Sequence, residues 1–164
     1  MGKPLRERSA LIYVLVALIP YSKPNLLLAY KPNLFFRELE KISQYKIAIL
    51  RNAYYRGINK GLINSEVNGP RLTTLGRRRV APFVASKLTG NASLMVIFDI
   101  PEARAADRRS LRTLLRQWRF QQVQKSVWVS SYDFRKFLVE VIEELKLDNH
   151  VEIHENARLF PKDS

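Results

Sequence analysis

Ser93-Leu94-Met95-Val96-Ile97-Phe98-Asp99, running on into Ile100-Pro101-Glu102, is the stretch on which the fold of this 164-residue chain turns. A run this rich in branched and aromatic side chains reads as a strand, and Pro101 closes it because a proline cannot donate to a ladder. Downstream, residues 105–118 read as a helix with Leu111, Leu115 and Trp118 on one face and Arg108, Arg112, Arg116 and Arg119 along another. Residues 120–124 and 126–130 read as two strands or one long bent strand. Phe134, Phe137, Leu138, Val141, Ile142 and Leu145 then recur at helical spacing, and residues 151–159 close with a strand. The order β-α-β-β-α-β predicts a ferredoxin-like domain over 93–164, with both helices on one face of a four-stranded antiparallel sheet. The other face must be solvated or covered, and self-association is the economical cover for so short a domain.

Upstream of that strand, Leu88-Thr89-Gly90-Asn91-Ala92 reads as a linker, and the pattern changes to helices. Residues 10–19, ALIYVLVALI, form an apolar run of ten, where a membrane span needs about 20. A prolyl segment follows it, from Pro20, in place of the small-residue cleavage site of a signal peptide, so a buried helix is expected and no membrane partner. Residues 34–42 read as a short helix with Asn33 as N-cap, and residues 44–60 as a longer one capped by Ser43 and stopped by Gly61. Residues 62–67, an Asn68-Gly69 turn and residues 71–74 then read as a hairpin, weakened because Pro70 cannot donate the closing hydrogen bond. A last helix over 75–87 opens with Arg77-Arg78-Arg79 and is kinked by Pro82. Three helices followed by a hairpin predict a winged helix-turn-helix over 1–87, making the whole chain α+β.

The charge is divided at the same place. The chain carries 28 Lys and Arg against 15 Asp and Glu, a net +13. Residues 1–92 hold 16 basic and 4 acidic side chains, while residues 93–164 hold 12 and 11. A basic excess confined to the first half points to a polyanionic partner there, nucleic acid first. The absence of cysteine excludes disulfide scaffolds, thiol catalysis and Cys-ligated metal centres, and fits a reducing cytoplasm. No P-loop, dinucleotide fingerprint or Ser-His-Asp pattern is present.

A winged helix would place the segment 44–60 in a major groove of double-stranded DNA. Ile47, Leu50, Tyr54 and Ile58 share its apolar face. Gln44, Tyr45 and Lys46 are expected in its first turn, with Asn52, Arg56 and Lys60 on the outer side. The Gln44 and Asn52 amides suit adenine, and Arg56 and Lys60 suit guanine or phosphate. Arg71 in the wing and Arg77, Arg78 and Arg79 beyond it would neutralise phosphates. A solvated basic face on a structural helical domain is the bland alternative. Tyr54 is expected in the core and Tyr55 is left undetermined.

In the second half Asp99 ends a strand before a proline-led turn, a position from which a carboxylate can hold Mg²⁺. A lone Asp more often caps or braces structure, and Glu102 and Asp107 sit where helix N-termini favour acids. The arginines at 108, 112, 116 and 119 form either a phosphate-facing stripe or a solvated face answering Glu140, Glu143 and Glu144. His150 and His154 have no evident third ligand and read as structural or surface groups.

Residues 94–102, Arg108-Arg109-Ser110-Leu111-Arg112 and Gln124-Lys125-Ser126-Val127-Trp128-Val129-Ser130 together resemble the ferredoxin domain of the Cas2 type, the CRISPR adaptation subunit. There an aspartate ends the first strand and a Gln-x-Ser-Val-aromatic segment follows the first helix, and Asp99 with Gln124, Ser126, Val127 and Trp128 matches both. PaaX-type transcriptional repressors resemble the chain over more of its length, about 35–160. They join a winged helix to a Cas2-like central domain that starts Phe-Asp-Ile-Pro-Glu, and Phe98–Glu102 and Ser126 through Asp133 fit that version. Those repressors continue into a further C-terminal domain, while this sequence stops at Ser164, a departure that leaves effector sensing open. It implies a homodimer through the second domain, with two winged helices set for two half-sites. No cofactor is expected. The alternative it carries is a metal-dependent endonuclease or spacer-adaptation subunit, with Asp99 on Mg²⁺ or an integrase as partner.

Overall fold

The computed structural model describes residues 9–19, 28, 31–66 and 69–157. They fall into two compact units that part between Val84 and Ala85.

In the first unit the apolar run forms helix α1 (Ala10–Ala17), capped by Ser9, whose Oγ accepts the Ile12 amide at 3.4 Å. A helix that is apolar all round belongs in a core. Ala10, Leu11, Ile12, Val14, Leu15 and Ala17 are all buried. Among the described residues no helix is long and apolar enough to cross a membrane. Helix α2 (Pro32–Ser43) begins with its proline at the first helical position, where a fixed φ and a missing N–H cost nothing. Lys31 therefore takes the N-cap position and Asn33 lies inside the helix, not at the cap expected for it.

Gln44 ends α2 in the left-handed region at φ 62, its amide bonded to the Glu40 carbonyl at 2.9 Å. The next helix, α3 (Ile47–Asn59), starts three residues later than the sequence predicts. Gln44, Tyr45 and Lys46 thus form the turn between helices instead of a first helical turn. The local cause is a change of partners. Ser43 Oγ accepts the Tyr45 amide at 3.2 Å, and Glu40 Oε1 accepts the Ile47 amide at 3.3 Å, so a carboxylate from α2 serves the N-terminus of α3.

Strands β1 (Ile63–Glu66) and β2 (Gly69–Leu72) pair antiparallel with Ile63 opposite Leu72 and Glu66 opposite Gly69. Gly69 is therefore a strand residue, at φ 98, and not the second residue of the turn. Asn68 lies outside the described residues. Pro70 is accommodated opposite Ser65 in a ribbon of two strands, where a missing donor leaves no inner neighbour unpaired. Helix α4 (Thr74–Val84) is capped by Thr73, whose Oγ1 donates to the Gly61 carbonyl at 2.6 Å and accepts the Gly76 amide at 3.1 Å. Pro82 sits in its last turn, and the helix stops at Val84 instead of 87.

The second unit is built on β3 (Ser93–Phe98), α5 (Ala105–Gln117), β4 (Gln121–Gln124), β5 (Val127–Ser130), α6 (Arg135–Glu144) and β6 (Val151–Ala157). The sheet order is β4-β5-β3-β6, every pair antiparallel, so the unit is a mixed α+β layer with the β-α-β-β-α-β order expected for it. Strand alternation buries Leu94, Val96 and Phe98. Leu111, Leu115 and Trp118 meet Phe134, Leu138, Val141 and Ile142 in the core, with the Trp118 and Phe134 rings stacked 5.1 Å apart at 9°. The segment expected as a linker is tied down at its start, since the Leu88 amide donates to the Ser131 carbonyl at 2.8 Å.

Candidate nucleic-acid interface

Helix α3 has two sides that its packing defines. Leu50, Ala53 and Gly57 are buried, with Ile47, Tyr54 and Ile58 on the flanks, as the apolar spacing predicts. Tyr54 is a core residue. Burial pushes its hydroxyl's pKa up, a hydrogen bond with Ser65 opposes that shift, and its ring meets Phe36 edge-on at 6.1 Å. The outer side carries Ala48, Asn52, Arg56 and Lys60, one turn apart, together with Ile49, Tyr55 and Asn59, all exposed.

Three residues of the expected interface stand differently from their sequence reading. Tyr45 is half-buried, its ring edge-on to Tyr13 at 6.1 Å and packed on the core. Gln44 and Lys46 are exposed in the turn just before α3. Arg51, between the outer residues in sequence, is directed to α2, bonding Asn33 Oδ1 at 2.7 Å with its guanidinium 5.3 Å from the Phe36 ring.

Arg71 is exposed on β2, opposite Asn64. The consecutive arginines of α4 point in different directions because successive helical residues are about 100° apart. Arg77 donates to the Leu72 carbonyl at 3.1 Å and to Thr74 Oγ1 at 3.4 Å, which ties α4 to the hairpin. Arg78 is half-buried and Arg79 is exposed. Exposed apolar side chains on α3 belong to this surface: Tyr55 at 61%, undetermined from sequence, and Ile49 at 47%, which the sequence reading does not pick out. A helical wheel started at Ile47 instead of Gln44 would have placed Ile49 in the first turn.

The second unit holds a cleft of about 430 Å³ at the carboxyl end of β3, lined in part by Asp99, Arg108, Arg112, Asp148, His150 and Glu152. Asp99 is exposed; its amide bonds the His150 carbonyl at 2.9 Å and its own carbonyl meets His150 Nδ1 at 3.1 Å. Among the described residues no three side chains of ligand type converge as a metal site would require. His154 Nε2 meets Glu152 Oε2 at 3.0 Å.

Of the arginine stripe along α5, Arg108 and Arg112 are half-buried while Arg116 and Arg119 are exposed. Arg108 donates to the Ile100 carbonyl at 3.0 Å and pairs with Glu102, holding that carboxyl below its ordinary range. Arg112 lies 5.7 Å from the Phe98 ring and bonds the Lys125 carbonyl at 3.1 Å, and Arg116 lies 5.7 Å from the Trp128 ring. Arg112 and Arg116 thus lie over rings of their own sheet, and Arg108 is held by the turn that follows β3.

No curated protein and no solved structure matches the chain. Residues 94–163 match the family described as the PaaX protein central Cas2-like domain. The match spans the whole β-α-β-β-α-β unit from Leu94 onward, including Asp99 and the Trp128 strand, and over this segment the chain carries a PaaX-type central Cas2-like domain.

Proposed function

We propose that the protein is a double-stranded DNA-binding transcriptional regulator, a repressor that dimerises through its Cas2-like unit and reads DNA with a winged helix-turn-helix. The observation that carries the reading is the outer side of α3. It presents Asn52, Arg56 and Lys60 in line after a three-residue turn, ahead of a hairpin with exposed Arg71. These are the side chains that pair with adenine, guanine and phosphate, on the element that such a motif places in the major groove. The charge supports it, since residues 1–92 carry nearly all of the net +13. The PaaX-type domain is consistent with a family of regulators.

Dimerisation is supported by the sheet of the second unit. Phe98 and Trp128 face α5, so alternation sets Met95 and Ile97, both half-buried, on the face turned away from the helices. A twofold pairing there would supply two reading heads for two half-sites. Gel-shift titration of genomic fragments at fixed salt tests the function. Arg56→Ala with Lys60→Ala should weaken binding to a selected site more than tenfold, each base contact being worth ~1–3 kcal/mol. Unchanged affinity in the double variant would sink the assignment.

A second reading rests on Asp99 at the mouth of its cleft, as a nuclease carboxylate. It requires Mg²⁺-dependent cleavage of DNA or RNA that Asp99→Asn abolishes.

A further inference from the structure

Resting on the DNA-reading role of α3, we infer that its first two turns read a thymine methyl group with Ile49 and a neighbouring adenine with Asn52. The target site therefore contains a T·A-rich step under the N-terminal end of this helix.

Three observations carry this. Ile49 is 47% exposed in the first turn of α3, where it contributes little to the core. A β-branched residue also lowers helix propensity slightly, so helix formation does not favour it at this position. Second, the polar groups near this end lie ahead of the helix or are engaged by its neighbours, with the exposed Lys46 at the N-cap left for a phosphate. Tyr45 packs on the core, Arg51 is bonded to Asn33 and lies over Phe36, and Gln44 is held in the turn at φ 62. What projects from α3 between Lys46 and Arg56 is Ala48, Ile49, Asn52 and Tyr55.

Third, the spacing fits. Side chains three residues apart on a helix are neighbours at about 5–6 Å, and base pairs rise by about 3.4 Å, so one residue pair covers one or two base pairs. In the major groove only thymine shows a methyl group, and adenine alone offers the N6–N7 pair that an amide matches. Arg56 and Lys60, further along the same side, keep the helix on the polyanion and argue against an apolar protein partner for this surface.

The test uses the full chain. A preferred duplex is selected from random DNA, and each thymine in it is then replaced singly by deoxyuridine, which removes only the methyl group. At one or two positions the replacement should weaken wild-type binding about fourfold, the worth of one buried methyl. Ile49→Ala should bind the thymine and deoxyuridine duplexes equally. At an adjacent position 7-deazaadenine should weaken the wild type at least about fivefold and leave Asn52→Ala unaffected. Circular dichroism confirms that each variant is folded, and the modified bases probe the unaltered protein in any case. Selection of a site in which no deoxyuridine matters, or a methyl preference that survives Ile49→Ala, overturns this inference while leaving the DNA-binding role intact. Failure to bind any duplex overturns both.

Discussion

Arg51 of α3 donates to Asn33 Oδ1 of α2 at 2.7 Å, with its guanidinium 5.3 Å from the Phe36 ring centroid. This residue follows Leu50 of the core and precedes Asn52 of the outer surface, so one helical position separates a brace from the exposed outer side. The contact helps set how α3 is presented by the helix before it. Both groups are solvent-accessible, so the interaction is modest. Arg51→Met and Asn33→Ala should each lower stability by about 0.5–1 kcal/mol. The double variant should lose less than the two effects combined, as partners in one contact do. Strict additivity in denaturant titrations would separate the two residues energetically and remove the brace.

Two glycines of the first unit make opposite predictions. A Cβ at Gly76 would stand 2.1 Å from the Leu62 carbonyl oxygen, a backbone atom fixed by its bond from the Thr73 amide. At Gly57 it would stand 2.7 Å from Ile63 Cδ1, the far end of a side chain that can rotate. Gly76→Ala should therefore cost about 2 kcal/mol or more, which lowers Tm by roughly 8 °C or more in a unit of this size. Gly57→Ala should stay within about 1 kcal/mol of the parent, because alanine's helix propensity offsets part of the crowding. Thermal melts of the two variants give the comparison directly, and equal losses would contradict it.

The second unit was largely legible from its residues. Alternation through residues 93–98 and the apolar spacing of 134–145 leave one arrangement in which both elements bury their stripes, and the observed sheet order follows. The first unit was legible in its element order and less so at its joints. Ser43 followed by Gln44 reads as a cap and a first turn. Yet Ser43 is 7% exposed inside α2, and Glu40 reaches across seven residues to serve α3. A bond of that span is set by tertiary packing and leaves no local signature. The same holds for the arginines. Arg77 reads as a phosphate ligand from sequence, and Arg108 and Arg112 as a phosphate-facing stripe or a solvated face, because nothing local reveals the carbonyls of Leu72, Ile100 and Lys125 that they bond.

The start of α6 should respond to pH. Asp133 accepts the Arg135 amide at 3.1 Å and its guanidinium Nε at 2.8 Å, and Arg135 also pairs with Glu155 of β6 at 2.7 Å. The hydrogen bonds from Arg135 hold the Asp133 carboxyl below its usual range. A depressed pKa in the folded state means that the stabilisation is fully present above the unfolded value of about 3.9 and is lost as pH falls through the folded value. Asp133→Asn should thus be less stable than the parent by a constant margin of up to about 1 kcal/mol from pH 5 to 8, given the pair's exposure. The margin should shrink below about pH 4. Urea titrations of both proteins at several pH values measure it, and a margin that widens in acid would reverse the assignment.

Arg77 and Arg79 lie on the same helix two residues apart and should behave oppositely toward DNA. Arg77 is held by the Leu72 carbonyl and by Thr74 Oγ1, whereas Arg79 is exposed. A guanidinium free to reach a phosphate displaces a condensed cation, and each such contact steepens the dependence of log affinity on log salt by about 0.9. With the proposed DNA-binding role, Arg79→Ala should reduce that slope by about 1 and leave the melting temperature unchanged. Arg71→Ala on the hairpin should do the same. Arg77→Ala should lower stability, because the Leu72 carbonyl loses a charged donor, while the slope changes little. Binding isotherms from about 50 to 200 mM salt resolve slopes of this size. If Arg77→Ala flattens the slope as much as Arg79→Ala does, the bond to Leu72 gives way on binding and Arg77 is a phosphate ligand after all.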